Sequence, residues 1–193
     1  KYAGENLLMI VIISSPSGAG KSSICKNLLK LDNKLKISIS DTTRVPRDNE
    51  VDGKDYNFIS EKKFKEKIDN KEYAEYASVF GNFYGSLHSN VMDLLKNEYD
   101  VLFDIDWQGA QQLKKSSYSN ILSFFIVPPS KDIIYQRLLS RSELSGDNED
   151  AINRRMSFYE TEISHKEEYD HVVINDNIRI CTETIYELSL IHI

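Results

Sequence analysis

The clearest chemical signal in the chain is a run of small residues that ends in a lysine and a hydroxyl: Ser15, Pro16, Ser17, Gly18, Ala19, Gly20, Lys21 and Ser22. Gly18 and Gly20 allow the backbone to curl so that several N–H groups point at one position. Lys21 can then reach the β- and γ-phosphates of a nucleotide, and Ser22 can offer its hydroxyl to a magnesium ion. The run therefore has the composition and spacing of a phosphate-binding loop, although Ser15 stands where the usual pattern begins with glycine.

The segments on either side of this run favour the same interpretation. An unbroken apolar stretch at 7–13 predicts a strand that is buried on both faces, as in a parallel sheet. Ile24, Leu28 and Leu31 recur at spacings of four and three, which predicts a helix over 22–31. The N-terminus of that helix would add its positive dipole end to the loop. A glycine turn after a buried strand is common by itself, but the strand before it and the helix after it indicate a phosphate site.

Two further places carry side chains that suit phosphate or metal. Arg44 and Arg47 lie three residues apart in a polar, proline-broken segment at 41–50, predicted as a loop. Guanidinium groups bind phosphate through paired hydrogen bonds, so this segment is either an anion clamp or a solvated charged loop. Asp104 and Asp106 end a second apolar strand at 101–106, where ligands bind in parallel sheets. They are either strand-end charges in solvent or the acid that a phosphate loop needs near its metal.

The rest of the chain alternates short strands and helices, which predicts a parallel sheet covered on both faces. Further strands are predicted at 34–40, 56–59, 73–80, 121–127 and 171–174. Further helices are predicted at 61–69, with Ser60 as its cap, and at 88–97, 107–115, 131–141, 149–167 and from 178 onward. The pieces between 40 and 86 predict a small lobe inserted into this frame, and 142–148 is predicted as a polar loop.

Two of the predicted helices carry arginines that are further site candidates. Arg137 and Arg141 share one face of the helix at 131–141. In the next helix Arg155 flanks the apolar stripe, whereas Arg154 points nearly away from it. We therefore expect Arg155 at the site and Arg154 in solvent.

Length and composition limit the classes of function. A chain of 193 residues fits one compact domain, and 40% hydrophobic with 28% charged residues is ordinary for a soluble protein. The net charge of −6 argues against a general nucleic-acid binder. The apolar run at 7–13 is too short to span a membrane and lacks signal-peptide features, so the expected compartment is the cytoplasm. Cys25, Cys181 and the four histidines show no metal-ligand spacing, so no zinc site is expected.

Several motifs, in this order, resemble the guanylate kinase family, most of all its bacterial form. The motifs lie at 15–22, 42–47, 53–56, 81–86, 104–109 and 173–176. The match to the bacterial form is clearest at 106–112. The resemblance covers about residues 8–187 and implies an α/β fold of the P-loop nucleoside-monophosphate kinase type, with a central parallel sheet flanked by helices. It further implies a single domain over 1–193, with a core at 7–40, 88–136 and 167–187, an inserted GMP-binding α+β lobe at 41–87 and a helical lid at 137–160. The implied reaction, ATP plus GMP giving ADP plus GDP, belongs to purine nucleotide metabolism and uses Mg²⁺.

The resemblance also assigns roles to individual side chains. ATP-binding residues would be Ser15, Pro16, Ser17, Gly18, Ala19, Gly20, Lys21 and Ser22, with Asn175 at the adenine. GMP-binding residues would be Ser40, Arg44, Arg47, Tyr56, Glu75, Tyr84, Ser86 and Asp106. Catalytic residues would be Lys21, Arg137, Arg141 and Arg155, and metal ligands would be Ser22 and Asp104. The two guanidiniums and two phenols of the clamp suit a phosphate dianion held in line, although Tyr56 and Tyr84 alone would be interpreted as packing residues.

Guanine differs from adenine by hydrogen-bond donors at N1 and N2 and an acceptor at O6. The resemblance makes Glu75 the acid that accepts from these donors, with Asp106 as a second acceptor and Ser40 beside the base. Adenine would leave buried carboxylates unpaired, and a site built on hydrogen bonds rejects such an analogue by about 10⁴-fold. Composition alone would make Glu75 a surface acid.

Other hypotheses stay open at this point. A guanylate-kinase fold also serves as a non-catalytic phosphopeptide-binding module, but such modules lose the nucleotide loop, which this chain keeps. A kinase for AMP would keep the loop but not Glu75 together with Asp106. The chain departs from the family at Ser15, at 48–49 and at 142–148, which lacks the usual Gly-Thr-Glu. Residues 188–193 fit poorly as a helix end and match what a sequencing-library adapter encodes, so we interpret them as an artefact.

Overall fold

The structure, a computed structural model, describes residues 8–145 and 148–192, and at 141–145 it describes the helical backbone only. The strands in chain order are β1 (Ile10–Ser14), β2 (Leu35–Ile37), β3 (Asp41–Thr42), β4 (Asn57–Phe58), β5 (Tyr73–Val79), β6 (Asn82–Leu87), β7 (Asp100–Asp104), β8 (Ile121–Val127) and β9 (His171–Ile174). The helices are α1 (Lys21–Leu31), α2 (Glu61–Asp69), α3 (His88–Lys96), α4 (Trp107–Lys114), α5 (Lys131–Ser145), α6 (Glu149–Ser164) and α7 (Ile178–Ile191).

The central sheet is parallel throughout and has five strands in the order β2-β7-β1-β8-β9. All five residues of β1 are buried, which confirms the prediction of a strand covered on both faces. The strand spans Ile10–Ser14 instead of the predicted 7–13, of which residue 7 lies outside the described residues. Val11 and Ile13 pack toward α1 and α7, while Ile10 and Ile12 pack toward α3 and α4. This alternation follows from the period of two along a strand. The core therefore fixes the carboxyl end of β1, from which the phosphate loop begins.

Residues 41–87 form a second sheet with a helix of their own. Its four strands run in the order β4-β3-β6-β5, with β5 and β6 as an antiparallel hairpin. The α2 helix covers this sheet through Phe64, which is fully buried and stacks on Tyr73 and Phe83 at 4.5 and 5.3 Å between ring centroids. The Ser60 hydroxyl accepts from Lys63 N at 3.3 Å, so the predicted cap and helix are confirmed.

A buried ion pair ties the strands of this second sheet together. Asp41 is fully buried and accepts hydrogen bonds from Lys67 Nζ at 2.6 Å, Tyr73 Oη at 2.9 Å and Asn57 Nδ2 at 3.0 Å. A buried charge is tolerated when it is paired and its lone pairs are satisfied, as they are here. The contact fixes β3, whose flanking residues Ser40 and Arg44 face the cavity.

The α5 and α6 helices pack on each other through a small apolar cluster centred on Ile134, Leu138 and Ile152. The loop predicted at 142–148 is wrong for 142–145, where α5 continues, because no glycine or proline precedes Gly146. The Asn148 side chain then caps α6 by accepting from Ala151 N at 2.9 Å.

Other predicted boundaries also need correction. The strand predicted at 34–40 ends at Ile37, and the loop predicted from residue 41 begins as β3, because the chain changes sheets between them. The strand predicted to residue 106 ends at Asp104.

The end of the chain also differs from the prediction. The structure continues α7 through 188–191, so the predicted poor fit of these residues as a helix end is wrong. Leu188 packs against the core three residues after buried Ile185. None of the helices in the described part of the chain has the length and apolarity to cross a membrane.

Candidate active site

A cavity of about 390 Å³ opens between the loop after β1, the second sheet and the helices α5 and α6. Candidates from the sequence that line it are Ser15, Pro16, Ser17, Gly18, Gly20, Lys21, Ser22, Ser40, Arg44, Arg47, Tyr56, Glu75, Tyr84, Asp104, Asp106, Arg137 and Arg155. Among the described candidates, Ala19, Ser86 and Asn175 are buried and do not line it. The side chain of Arg141 lies outside the described residues.

Backbone conformation shapes the phosphate loop. Gly18 and Gly20 have φ of 83° and 93°, values that side-chain-bearing residues rarely adopt. A Cβ atom on Gly20 would also lie 2.6 Å from Asn175 Nδ2. That amide is buried and donates to the Ala19 carbonyl at 2.7 Å. Asn175 therefore supports the loop from behind rather than lining the cavity where we expected an adenine contact.

Lys21 begins α1 and is held at the centre of the cavity. Its Nζ lies 2.6 Å from Asp104 Oδ1 and donates to the Ile105 carbonyl at 3.0 Å. Burial works against the charge, but Asp104 outweighs it and raises the pKa of Lys21 above its ordinary value. The lysine is therefore a fixed positive charge. Asp104 and Ser22 also present oxygen atoms to this wall, which are the ligands that Mg²⁺ prefers.

Arg137 on α5 and Arg155 on α6 both contact the phosphate loop. Arg137 donates to the Asn175 carbonyl at 3.1 Å and to the Ala19 carbonyl at 3.5 Å. Arg155 Nη1 donates to Ser17 Oγ at 3.3 Å. The neighbouring Arg154 is exposed, as its place on the helix predicts.

At the other end of the cavity, two arginines are held by one acid that sequence reasoning missed. Arg44 donates to both carboxylate oxygens of Glu50 at 2.8 and 2.9 Å. The Arg47 backbone N–H donates to the same carboxylate at 2.8 Å, and its guanidinium lies 3.5 Å away. Glu50 thus fixes both guanidiniums, and its position three residues after Arg47 was the available signal. Tyr56 and Tyr84 stand beside them with ring centroids 5.9 Å apart, and burial raises the pKa of Tyr56 to about 12.

Buried polar groups form the deepest part of this end. Glu75 on β5 is 3% exposed, and its Oε1 has no hydrogen-bond partner within the described structure. Burial raises the pKa of Glu75 to about 7, with the charge of Asp106 adding to the effect and the Ser86 hydroxyl opposing it. Ser40 and Ser86 share a hydrogen bond of 3.0 Å next to it. A buried acceptor without a protein partner, at the wall of a cavity, is the arrangement expected for a group that accepts a hydrogen bond from a bound ligand.

Asp106 and Gly109 belong to the start of α4. Asp106 caps this helix by accepting from Gly109 N at 3.1 Å, and it also accepts from Gln108 Nε2 at 2.8 Å. These bonds give it a role in the helix start that the sequence-based prediction of a strand end did not include. The missing side chain of Gly109 leaves the space that the Glu75 carboxylate occupies.

A second acid that sequence reasoning missed is Glu162 on α6. Its Oε2 accepts from the Ser17 N–H at 3.2 Å, and burial raises its pKa to about 7. It lies seven residues after Arg155, and therefore on the same helix face. That spacing is the signal that could have identified it, because both side chains contact Ser17.

Comparisons with known proteins agree with this geometry. The family model described as guanylate kinase matches residues 8–189. The chain is 48% identical to a guanylate kinase of Rickettsia prowazekii over 184 residues, covering 95% of this chain and 91% of that protein. It is 46% identical to one of Bartonella henselae over 181 residues, covering 94% and 80%. A crystal structure of guanylate kinase from Anaplasma phagocytophilum superposes with a TM-score of 0.80 at 32% identity, covering 97% of this chain and 87% of that one.

Proposed function

The chain belongs to the guanylate kinase family, and from that premise we propose how its cavity phosphorylates GMP at the expense of ATP. The reaction is ATP plus GMP giving ADP plus GDP. The observation that carries the proposal is one continuous cavity, with the phosphate loop and Lys21 at one end and the orphaned Glu75 carboxylate at the other. A donor and an acceptor nucleotide can therefore meet in it.

We assign the donor end to ATP. The N–H groups of the loop and the first turn of α1 would bind its phosphates, helped by the positive end of that helix. Lys21 would neutralise charge on the transferred phosphoryl group, and its ion pair with Asp104 keeps it protonated and in place. Arg137 and Arg155 would add charge from the lid side, whereas the side chain of Arg141 lies outside the described residues. The burial of Asn175 favours a supporting role over an adenine contact.

We assign the acceptor end to GMP. Arg44, Arg47, Tyr56 and Tyr84 would bind its phosphate, and the contact with Glu50 supports this because it orients both guanidiniums before the ligand arrives. Ionised Glu75 would accept from guanine N1–H and N2–H. Ser40 and Asp106 line the same end, and Ser86 would act through its bond to Ser40. Adenine offers no such pair of donors, so this set favours guanine.

Ser22 and Asp104 fit a magnesium ion carried in with ATP, because a hydroxyl and a carboxylate face the cavity beside the loop. Ser22 and Asp104 would hold the ion, and its positive charge would offset part of the negative charge of the ATP phosphates.

The chemistry that these residues support is in-line phosphoryl transfer by positioning and charge stabilisation. The clamp holds the GMP phosphate so that one of its oxygens faces the γ-phosphorus, and the donor-side cations stabilise the charge that shifts toward the leaving ADP. A GMP phosphate oxygen is already an anion, so no side chain has to remove a proton. Both substrates are nucleotides of the cell interior, so we infer cytoplasmic action in purine nucleotide metabolism.

The test is ADP formation from ATP and magnesium with GMP, AMP, CMP or UMP as acceptor, followed by addition of EDTA. We expect turnover with GMP, at least about 10³-fold weaker turnover with AMP, and loss of activity when EDTA removes the metal. Equal rates with AMP would contradict the assignment of Glu75. A folded protein that binds GMP or a phosphopeptide but turns over no nucleotide would instead indicate the non-catalytic module.

A further inference from the structure

An aromatic contact joins the acceptor lobe, which is residues 41–87, to the lid helix α6, and one of its two rings, Phe80, lines the cavity. Phe80 lies at the tip of the β5–β6 hairpin, and its ring centroid is 5.4 Å from that of Phe158 on α6, with the rings at 78°. Edge-to-face pairs at this separation are attractive. The contact therefore connects two parts of the chain that carry different halves of the cavity.

Phe80 also contacts an arginine of the donor end. The guanidinium carbon of Arg155 lies 5.7 Å from the centre of the Phe80 ring, within the range of a cation–π interaction. The same guanidinium donates to Ser17 Oγ in the phosphate loop at 3.3 Å. Phe80, which belongs to the acceptor lobe, thus contacts an arginine that also contacts the phosphate loop.

The conformation of the hairpin tip and the spacing of residues on α6 place the two rings in contact. Phe80 has φ of 51° and Gly81 has φ of 82°, so the hairpin tip turns through left-handed conformations that are unfavourable for a bulky side chain. On α6, Arg155 and Phe158 are three residues apart and share a face. Phe158 is 47% exposed, and neither ring belongs to a hydrophobic core cluster of the described structure. Core packing therefore does not account for the pair.

We propose that Phe80 and Phe158 are positioning residues that couple the acceptor lobe to Arg155, so that placement of the lobe over GMP also places this arginine over the ATP phosphates. The inference rests on the proposed phosphoryl transfer, because it gives Arg155 a donor-side role. Its consequence is that GMP in the acceptor end strengthens binding at the donor end. Phe80 lines the cavity but is not among the groups assigned to bind GMP, and Phe158 does not line it, so the ground-state affinity for GMP should change little when either ring is removed.

The experiment compares Phe80→Ala, Phe158→Ala and the double variant, with Phe158→Tyr as the ring-retaining variant and Ile180→Ala as the control. Ile180 is an exposed apolar residue on α7, so its truncation matches the lost surface without touching the lid. Each single variant should lower kcat about 3- to 10-fold, the range expected for losing one aromatic or cation–π contact, while KM for GMP stays within about twofold. The double variant should be no worse than the more damaged single one, and Phe158→Tyr should recover most of the loss.

A second measurement separates coupling from a general loss of order. Binding of a non-hydrolysable ATP analogue is titrated with and without saturating GMP. GMP should tighten it in the wild-type chain and in Ile180→Ala, and this tightening should disappear in Phe80→Ala and Phe158→Ala. Additive losses in the double variant, a parallel rise in KM for GMP or undiminished tightening would overturn the inference. A wild-type chain inactive with GMP would instead overturn the proposed function.

Discussion

The two ends of the cavity are built in different ways. The phosphate loop of the donor end is one contiguous segment that follows β1, where two glycines with positive φ and the start of α1 set the positions of backbone N–H groups. The acceptor end is assembled from side chains on separate pieces of the second sheet, including Arg44, Glu75 and Tyr84. Backbone geometry thus dominates one end and side-chain chemistry the other.

The difference extends to electrostatics. Lys21, Arg137 and Arg155 bring positive charge to the donor end, which we assign to the phosphates of ATP. The deepest part of the acceptor end holds Glu75 beside Asp106, an acidic environment that suits the donors of a guanine base. A binding site for polyphosphate therefore depends on general charge, whereas a site for one base depends on particular acceptors. Substitutions at the donor end should therefore mainly weaken the use of ATP, and substitutions at the acceptor end should mainly weaken the use of GMP.

The largest effect is expected at the donor end, from Lys21→Ala. The substitution removes the fixed charge that meets the transferred phosphoryl group and leaves Asp104 unpaired, so kcat should fall by about 10³-fold. Initial rates of ADP formation at saturating GMP measure this loss. Lys26→Ala is the matched control, because Lys26 is an exposed lysine on the same helix. A comparable loss in Lys26→Ala would show that the helix rather than the charge is responsible.

At the acceptor end, Glu75→Gln should reduce kcat/KM for GMP by about 10²-fold, because the amide accepts less strongly and places an N–H against guanine donors. KM for ATP should change little, and the preference for GMP over AMP should shrink. Competition between the two acceptors in one assay measures that ratio directly. An unchanged ratio would remove Glu75 from the base site.

A smaller effect is expected from Glu50→Gln, because Glu50 would act on the GMP phosphate only through Arg44 and Arg47. Loss of the ionised partner frees the two arginines that the carboxylate orients, so KM for GMP should rise by about tenfold with kcat little changed. Asp52→Asn, in the neighbouring turn, is the matched charge-neutralising control. A fall in KM would mean that Glu50 competes with the ligand's phosphate instead of orienting its clamp.

The pH dependence of GMP binding gives the smallest effect. Burial places the pKa of Glu75 at about 7, so the carboxyl is neutral below that pH and ionised above it. Only the ionised form accepts from both guanine donors, so KM for GMP should rise as the pH falls, by about fivefold from pH 7 to pH 6. Glu75→Gln should lose this component and keep the part due to the phosphate of GMP. Identical pH profiles would contradict the assignment.

The same contrast explains which features the sequence predicted. The phosphate loop, β1 and α1 are contiguous, so local spacing was sufficient to predict them. Glu75 lies in a strand of ordinary composition, and its importance depends on Ser86 and on the space left by Gly109, both distant in sequence. The family resemblance therefore drew attention to a carboxylate that proves to be buried at the cavity, whereas periodicity could not single it out. Glu50 and Glu162 were missed because an acid near an arginine on a polar surface is usual.

The most direct test of the two-ended account is calorimetric titration of each ligand alone, GMP or a non-hydrolysable ATP analogue, into Lys21→Ala and Glu75→Gln. We expect Lys21→Ala to lose at least about tenfold in affinity for the ATP analogue and to bind GMP within about twofold of wild type, while Glu75→Gln does the reverse. If either variant weakened both ligands to the same extent, the two ends would not be separate sites, and the account would be wrong.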